Sequence, residues 1–120
     1  MKLKNILIAV SDLERSRKFY HDLFGLDTVA DLGGNLLLTE GLVLQEAGLW
    51  KQILGREHMP GGAGELFFEE NRMELFLEKL ASYPEPIRIL TPLTKDGQGR
   101  RLIRVLDPDG HVIEVKERIR

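Results

Sequence analysis

The chain of 120 residues contains no cysteine, so disulfides, thiolate-held metals, iron–sulfur clusters and cysteine nucleophiles are excluded together. Aromatic residues are sparse at 7%, and Trp50 is the single tryptophan. No charge sign dominates: 17 Lys and Arg stand against 19 Asp and Glu, a formal charge of -2. A general nucleic-acid or anionic-membrane binder carries a basic excess, and this chain has none. Long apolar runs are also missing. The run behind Lys2 and Lys4, Ile6 to Val10, is far shorter than the ~7–15 residues of a secretory signal or the ~20 of a membrane span. The expectation is a cytoplasmic protein that binds neither nucleic acid nor membrane.

What remains is ordinary globular composition, with 42% hydrophobic and 30% charged residues. A chain this long buries roughly two-thirds of its unfolded surface, enough for one domain spanning 1–120. Leu3 to Val10 is short and rich in β-branched residues, which predicts a strand. Ser11-Asp12-Leu13-Glu14 has the form of a capping box, and Leu13, Ser16, Tyr20, Leu23 and Phe24 follow at helical spacing. Gly25 is placed to end that helix. Strands are predicted at Leu26–Asp31, Asn35–Thr39 and Leu42–Ala47, with turns at Gly33-Gly34 and Glu40-Gly41. The first half reads βαβββ.

A short helical turn and a glycine-rich linker fill residues 48 to 64, and then the pattern returns. Glu65–Glu70 predicts a strand, Asn71 to Glu74 a second capping box, and Met73, Phe76, Leu77 and Leu80 a helix stripe. Strands follow at Ile87–Leu90, Arg101–Leu106 and Val112–Lys116, the last two joined by the Asp107-Pro108-Asp109-Gly110 turn. An offset of 60 carries Asn5, Ser11, Glu14 and Tyr20 onto Glu65, Asn71, Glu74 and Leu80; a later offset of 69 carries Gln45 onto Glu114. The sequence is a duplicated βαβββ unit, with modules at 1–58 and 64–120. The fold class is α+β, with mixed sheets curved into a cup.

Val10-Ser11-Asp12-Leu13-Glu14-Arg15-Ser16, with Phe19-Tyr20 and Phe24-Gly25-Leu26, resembles the opening of vicinal oxygen chelate proteins. Asp107-Pro108-Asp109-Gly110-His111-Val112-Ile113-Glu114-Val115 resembles their closing hairpin. This superfamily holds glyoxalase I, the bleomycin-resistance and fosfomycin-resistance proteins and the extradiol dioxygenases. The resemblance implies two modules lining a shared pocket, usually in a homodimer. It also implies a metal site at the first and last strands of each module, here Asn5, Gln45, Glu65 and Glu114. Metal-dependent members typically place His at the first-strand positions, where this chain has Asn5 and Glu65. His21, His58 and His111 fall elsewhere, so a two-His, one-carboxylate iron centre is not available by this mapping. Four oxygen donors would suit Mg²⁺, Mn²⁺ or Ca²⁺ rather than Zn²⁺ or Ni²⁺.

Strand alternation puts Leu7 on the face of Asn5, and Phe67 and Glu69 on the face of Glu65. Leu7, Trp50 and Phe67 are the candidates for apolar and aromatic ligand contact. Glu69, Arg101 and Arg104 are the polar ones, the two arginines facing opposite ways. His58 and its neighbouring glycines suit either a flap or a plain linker. Two functions are open. One is a small-molecule binder with a degenerate metal site, similar to bleomycin-resistance proteins, whose acidic cup favours a cationic ligand. The other is a metal-assisted lyase or isomerase in which Glu65 or Glu114 moves a proton. A third, blander reading makes the cup a dimerisation scaffold.

Overall fold

The computed structural model describes residues 2–55 and 64–118. The chain divides into two compact units, residues 1–59 and 60–120, and each follows one plan. The first unit runs β1 (Ile6–Val10), α1 (Leu13–Phe24), β2 (Thr28–Asp31), β3 (Asn35–Leu38), β4 (Leu42–Glu46) and α2 (Ala47–Leu54). The second runs β5 (Glu65–Glu70), α3 (Met73–Ser82), β6 (Arg88–Lys95), β7 (Arg101–Leu106) and β8 (Val112–Glu117). Each unit carries one open, four-stranded mixed sheet, ordered β1-β4-β3-β2 and β5-β8-β7-β6. In both, the first strand lies parallel to the last and the remaining pairs are antiparallel. The α+β class and the βαβββ order are as the sequence implies. His58 lies outside the described residues.

The α1 cap differs from expectation by one residue. The backbone turns extended at Asp12 (φ -140°), so Asp12 Oδ1 accepts the Arg15 N–H at 3.0 Å and Asp12 is the N-cap. Ser11 instead receives the Arg15 guanidinium on its hydroxyl at 2.9 Å. Gly25 closes the helix in the left-handed region (φ 69°), its N–H donating to His21 O. Ser16, Phe19, Tyr20 and Leu23 are buried, and α1 packs on β4. Phe19 and Tyr20 meet edge to face with ring centroids 5.2 Å apart. Val10, Leu38 and Leu44 complete that core, each side chain contributing about 1.5–3 kcal/mol of burial.

The short helical turn expected after β4 is an eight-residue helix, α2, because Glu46 caps it by accepting the N–H groups of Gly48 and Leu49. Packed on β1 and β4, α2 brings Leu49 over Gly34. A Cβ at residue 34 would come within 2.8 Å of Leu49 Cδ2 and push that side chain aside, and the left-handed backbone there (φ 90°) is the stronger reason for glycine.

In the second unit the predicted Asn71 capping box is absent. Arg72 is the N-cap, with no side-chain bond to the helix. Burial of Met73 and Phe76 holds α3, and Arg101 adds an ionic tie, reaching Glu74 at 2.5 Å and Glu117 at 2.6 Å. Hydrogen bonds donated to Glu117 and then Glu74 push the Arg101 pKa up, and the bond from Arg101 holds Glu74 below its ordinary value. Met73, Phe76, Leu102, Ile103, Val105, Ile113 and Val115 are buried. β6 extends to Lys95, beyond the four residues expected, and tolerates Pro92 because it is the sheet edge and its ladder is irregular between Ile89 and Thr94. No helix of the described residues is long and apolar enough to cross a membrane.

Candidate functional site

Alternation along each strand separates a helix-covered face from an open one. In the second unit Ile103, Val105, Ile113 and Val115 belong to the helix side, with Arg101 and Glu117. The opposite face carries Glu65, Phe67 and Glu69 from β5, Glu114 and Lys116 from β8, and Arg104 from β7. Strand register orders them further. Phe67 lies opposite Glu114, Glu114 opposite Arg104, and Arg104 opposite Thr91, one row across all four strands.

At the centre of that row is an ion pair. Arg104 Nη2 lies 2.6 Å from Glu114 Oε1, with 9% of the Glu114 side chain and 36% of the Arg104 side chain exposed. Arg104 Nη1 also donates to Thr91 Oγ1 at 3.4 Å, a long bond. Phe67, beside Glu114, is 53% exposed. Glu69 accepts from Arg100 at 3.1 Å, and Arg100 is anchored by donating from Nε to Glu117 O at 2.8 Å. Lys116 reaches Asp96 at 3.2 Å. The acidity expected of this face is therefore largely offset by bases. Only Glu65, an exposed residue opposite Val112, carries a carboxylate with no basic partner among the described residues.

In the first unit Asn5 is exposed, precedes β1 and lies beside Gly41, whose Cβ would sit 3.8 Å from Asn5 Oδ1. Gln45 is buried and opposite Ala9, four positions further along β1. At about 3.3 Å per residue, the two backbone positions are roughly 13 Å apart along the strand pair. Gln45 Nε2 donates to Asn35 Oδ1 at 3.0 Å, so this amide has a partner within its own sheet. Leu7 is 38% exposed, and Trp50 is half-buried on α2 with its indole Nε1 shielded from solvent and unpaired.

Register also revises the internal symmetry. The offset of 69 equates Gln45 with Glu114, but Leu7 is opposite Val43 whereas its repeat mate Phe67 is opposite Glu114. Val43 is the structural counterpart of Glu114. The tight turn Thr39–Gly41 enters β4 at once, while the Asp107 turn adds residues before β8. The first-unit row is thus Leu7, Val43, Leu37 and Ala30, all apolar.

Taken unit by unit, these residues do not suit the metal that the superfamily resemblance implies. Asn5 and Gln45 do not converge, Glu114 is bound by a guanidinium, and no three His, Cys, Asp or Glu among the described residues form a group able to hold an ion. Arg101 lies with α3, away from this face. The missed feature is that Arg104 and Glu114 are partners, although a hairpin pairing Leu106 with Val112 must also pair Arg104 with Glu114. Two open grooves of the second unit lie elsewhere and include none of the predicted residues. One of about 630 Å³ lies by Arg100 and Arg118, and one of about 570 Å³ by Leu80 and Ile103.

A glyoxalase-like domain model matches residues 3–120. A protein of unknown function from Agrobacterium tumefaciens is 30% identical over 99% of this chain and 95% of its own, with a TM-score of 0.84. The lactoylglutathione lyase of the same organism superimposes at 0.73 with 21% identity, covering 97% of this chain and 92% of its own. A fosfomycin resistance protein from Listeria monocytogenes does so at 0.76 with 16% identity, covering 99% and 94%. At those identities the last two show the fold alone. No protein with a curated description matches.

Proposed function

We propose, since the chain belongs to the glyoxalase-like family of the vicinal oxygen chelate superfamily, that it is a small-molecule-binding protein that works without a resident metal ion. The observation that carries this reading is the Arg104–Glu114 pair. Glu114 stands at the closing-strand position where the resemblance places a metal ligand. Here that carboxylate is nine-tenths shielded and answered by a guanidinium. A divalent ion would have to displace Arg104 and recruit oxygen donors that are exposed or already bonded. Charge compensation at Glu69 and Glu114 also weakens the reason for preferring a cationic ligand.

Family membership agrees with this without choosing it, because the fold hosts lyases, resistance proteins and binders alike. The test is elemental analysis of purified protein, followed by thermal shift with Mn²⁺, Mg²⁺, Zn²⁺ and Ni²⁺. The expected result is no stoichiometric ion and no stabilisation. A stoichiometric ion that is lost in Glu114→Ala would overturn the reading. It would favour a metal-assisted lyase or isomerase with Glu65 or Glu114 as the proton carrier.

A further inference from the structure

We infer that Arg104 is an anion-recognition point on the open face of the second unit, and that the ligand is a planar carboxylate or similar aryl oxyanion seated against Phe67. The inference rests on the ligand-binding reading above and names the class of ligand. Phe67, Glu114, Arg104 and Thr91 form one row in register across the sheet. With strands about 4.8 Å apart, Phe67 and Arg104 stand roughly 10 Å apart at the backbone. A flexible arginine shortens that gap. One aromatic ring lying on Phe67 then brings a carboxylate at its edge to the guanidinium.

The electrostatics give the direction of the preference. A guanidinium has five N–H donors. In Arg104 one nitrogen faces Glu114, another makes the long bond to Thr91, and 36% of the side chain is open to a solute. Glu114 has little exposed surface of its own, so it fixes the guanidinium plane while presenting little negative charge outward. Along the same face Arg100 binds Glu69. A ligand anion adds a second acceptor to an oriented cation, whereas a ligand cation finds the nearest carboxylate already taken. Phe67, exposed beside this pair, supplies the stacking surface that makes a flat ligand preferable to a compact inorganic anion.

Benzoate, benzamide and benzylammonium share a ring and differ in charge, so titration of each, followed by amide chemical shifts, tests the inference. Benzoate is expected to bind at least tenfold more tightly than either of the others and to shift residues of this row. Arg104→Gln is expected to lose benzoate binding about tenfold and leave benzamide unchanged. Glu114→Gln should strengthen benzoate severalfold, because the amide oxygen still accepts from the guanidinium and holds its plane while the competing negative charge is gone. Should Arg104→Gln not fold, Arg104→Lys and Glu114→Gln carry the test, the lysine variant retaining part of the benzoate affinity. Tighter binding of benzylammonium, weaker benzoate binding in Glu114→Gln, or no benzoate response would each overturn this inference. None of those results touches the metal-free reading, which stands or falls on the ion analysis.

Discussion

A double-mutant cycle on Arg104 and Glu114 measures what the ion pair contributes to the fold, and how firmly Glu114 is withheld from other cations. Charge centres about 4 Å apart attract by about 4 kcal/mol at an effective dielectric constant near 20. More than a third of the Arg104 side chain is in solvent, so screening removes much of this, and desolvating Glu114 opposes the rest. The expected coupling is about 1–2 kcal/mol, above the 0.2–1 kcal/mol typical of exposed pairs. The single variants should be unequal. Arg104→Met strands a shielded carboxylate and is expected to cost about 2–3 kcal/mol, whereas Glu114→Gln keeps an acceptor oxygen and should cost about 1. Urea unfolding of the parent, both singles and the double supplies all four corners. A coupling below about 0.3 kcal/mol, or a Glu114→Gln cost equal to that of Arg104→Met, would refute the reasoning. Glu114 would then be a carboxylate at liberty to bind something else.

Ser16 is fully buried and its hydroxyl has no hydrogen-bond partner, so Ser16→Ala is expected to leave stability unchanged or raise it by up to about 1 kcal/mol, read by thermal melting. Gly25 has open space around it but a left-handed backbone, so Gly25→Ala should cost about 1 kcal/mol through conformation alone, measured by urea midpoint. Asp96 accepts the backbone N–H groups of Arg100 and Gln98, which hold its carboxyl below the ordinary value. A depressed folded pKa stabilises fully above the unfolded value near ~3.9 and is lost as pH falls through the folded one. Amide exchange at Gln98 and Arg100 should therefore be steady from neutrality to about pH 4, then lose protection on further acidification relative to the intrinsic rate. Asp96→Asn should flatten that dependence.

Much of the architecture was legible because it rests on local rules. The ends of β5 and β7 coincide with their apolar and charged boundaries, and Gly25 stops α1 where its position indicates. The misreadings have physical causes. Ser11 and Asp12 are both competent caps, and only the backbone angle at Asp12 decides between them. The strand expected over Ile87–Leu90 runs on through Pro92 because it is the sheet edge, where a missing N–H costs no ladder bond. Glu46 lies inside the strand expected over Leu42–Ala47, while its carboxylate is what starts α2. For the candidate site, residue types could be read, but partnerships depend on register. Gln45 was legible as a polar residue near a closing strand; its engagement with Asn35 follows only from the pairing of β3 with β4.

The two-position slip between the sheets has a consequence for anyone redesigning this scaffold. A carboxylate intended to mirror Glu114 in the first unit belongs at residue 43, where the chain now has valine, and its countercharge belongs at 37, where it has leucine. An alignment that matches glycine to glycine would direct both changes to the wrong rung of the ladder. The two units differ in phase as well as in composition. One copy has a greasy rung where the other has an ionic one, and sequence comparison alone conceals that they are counterparts.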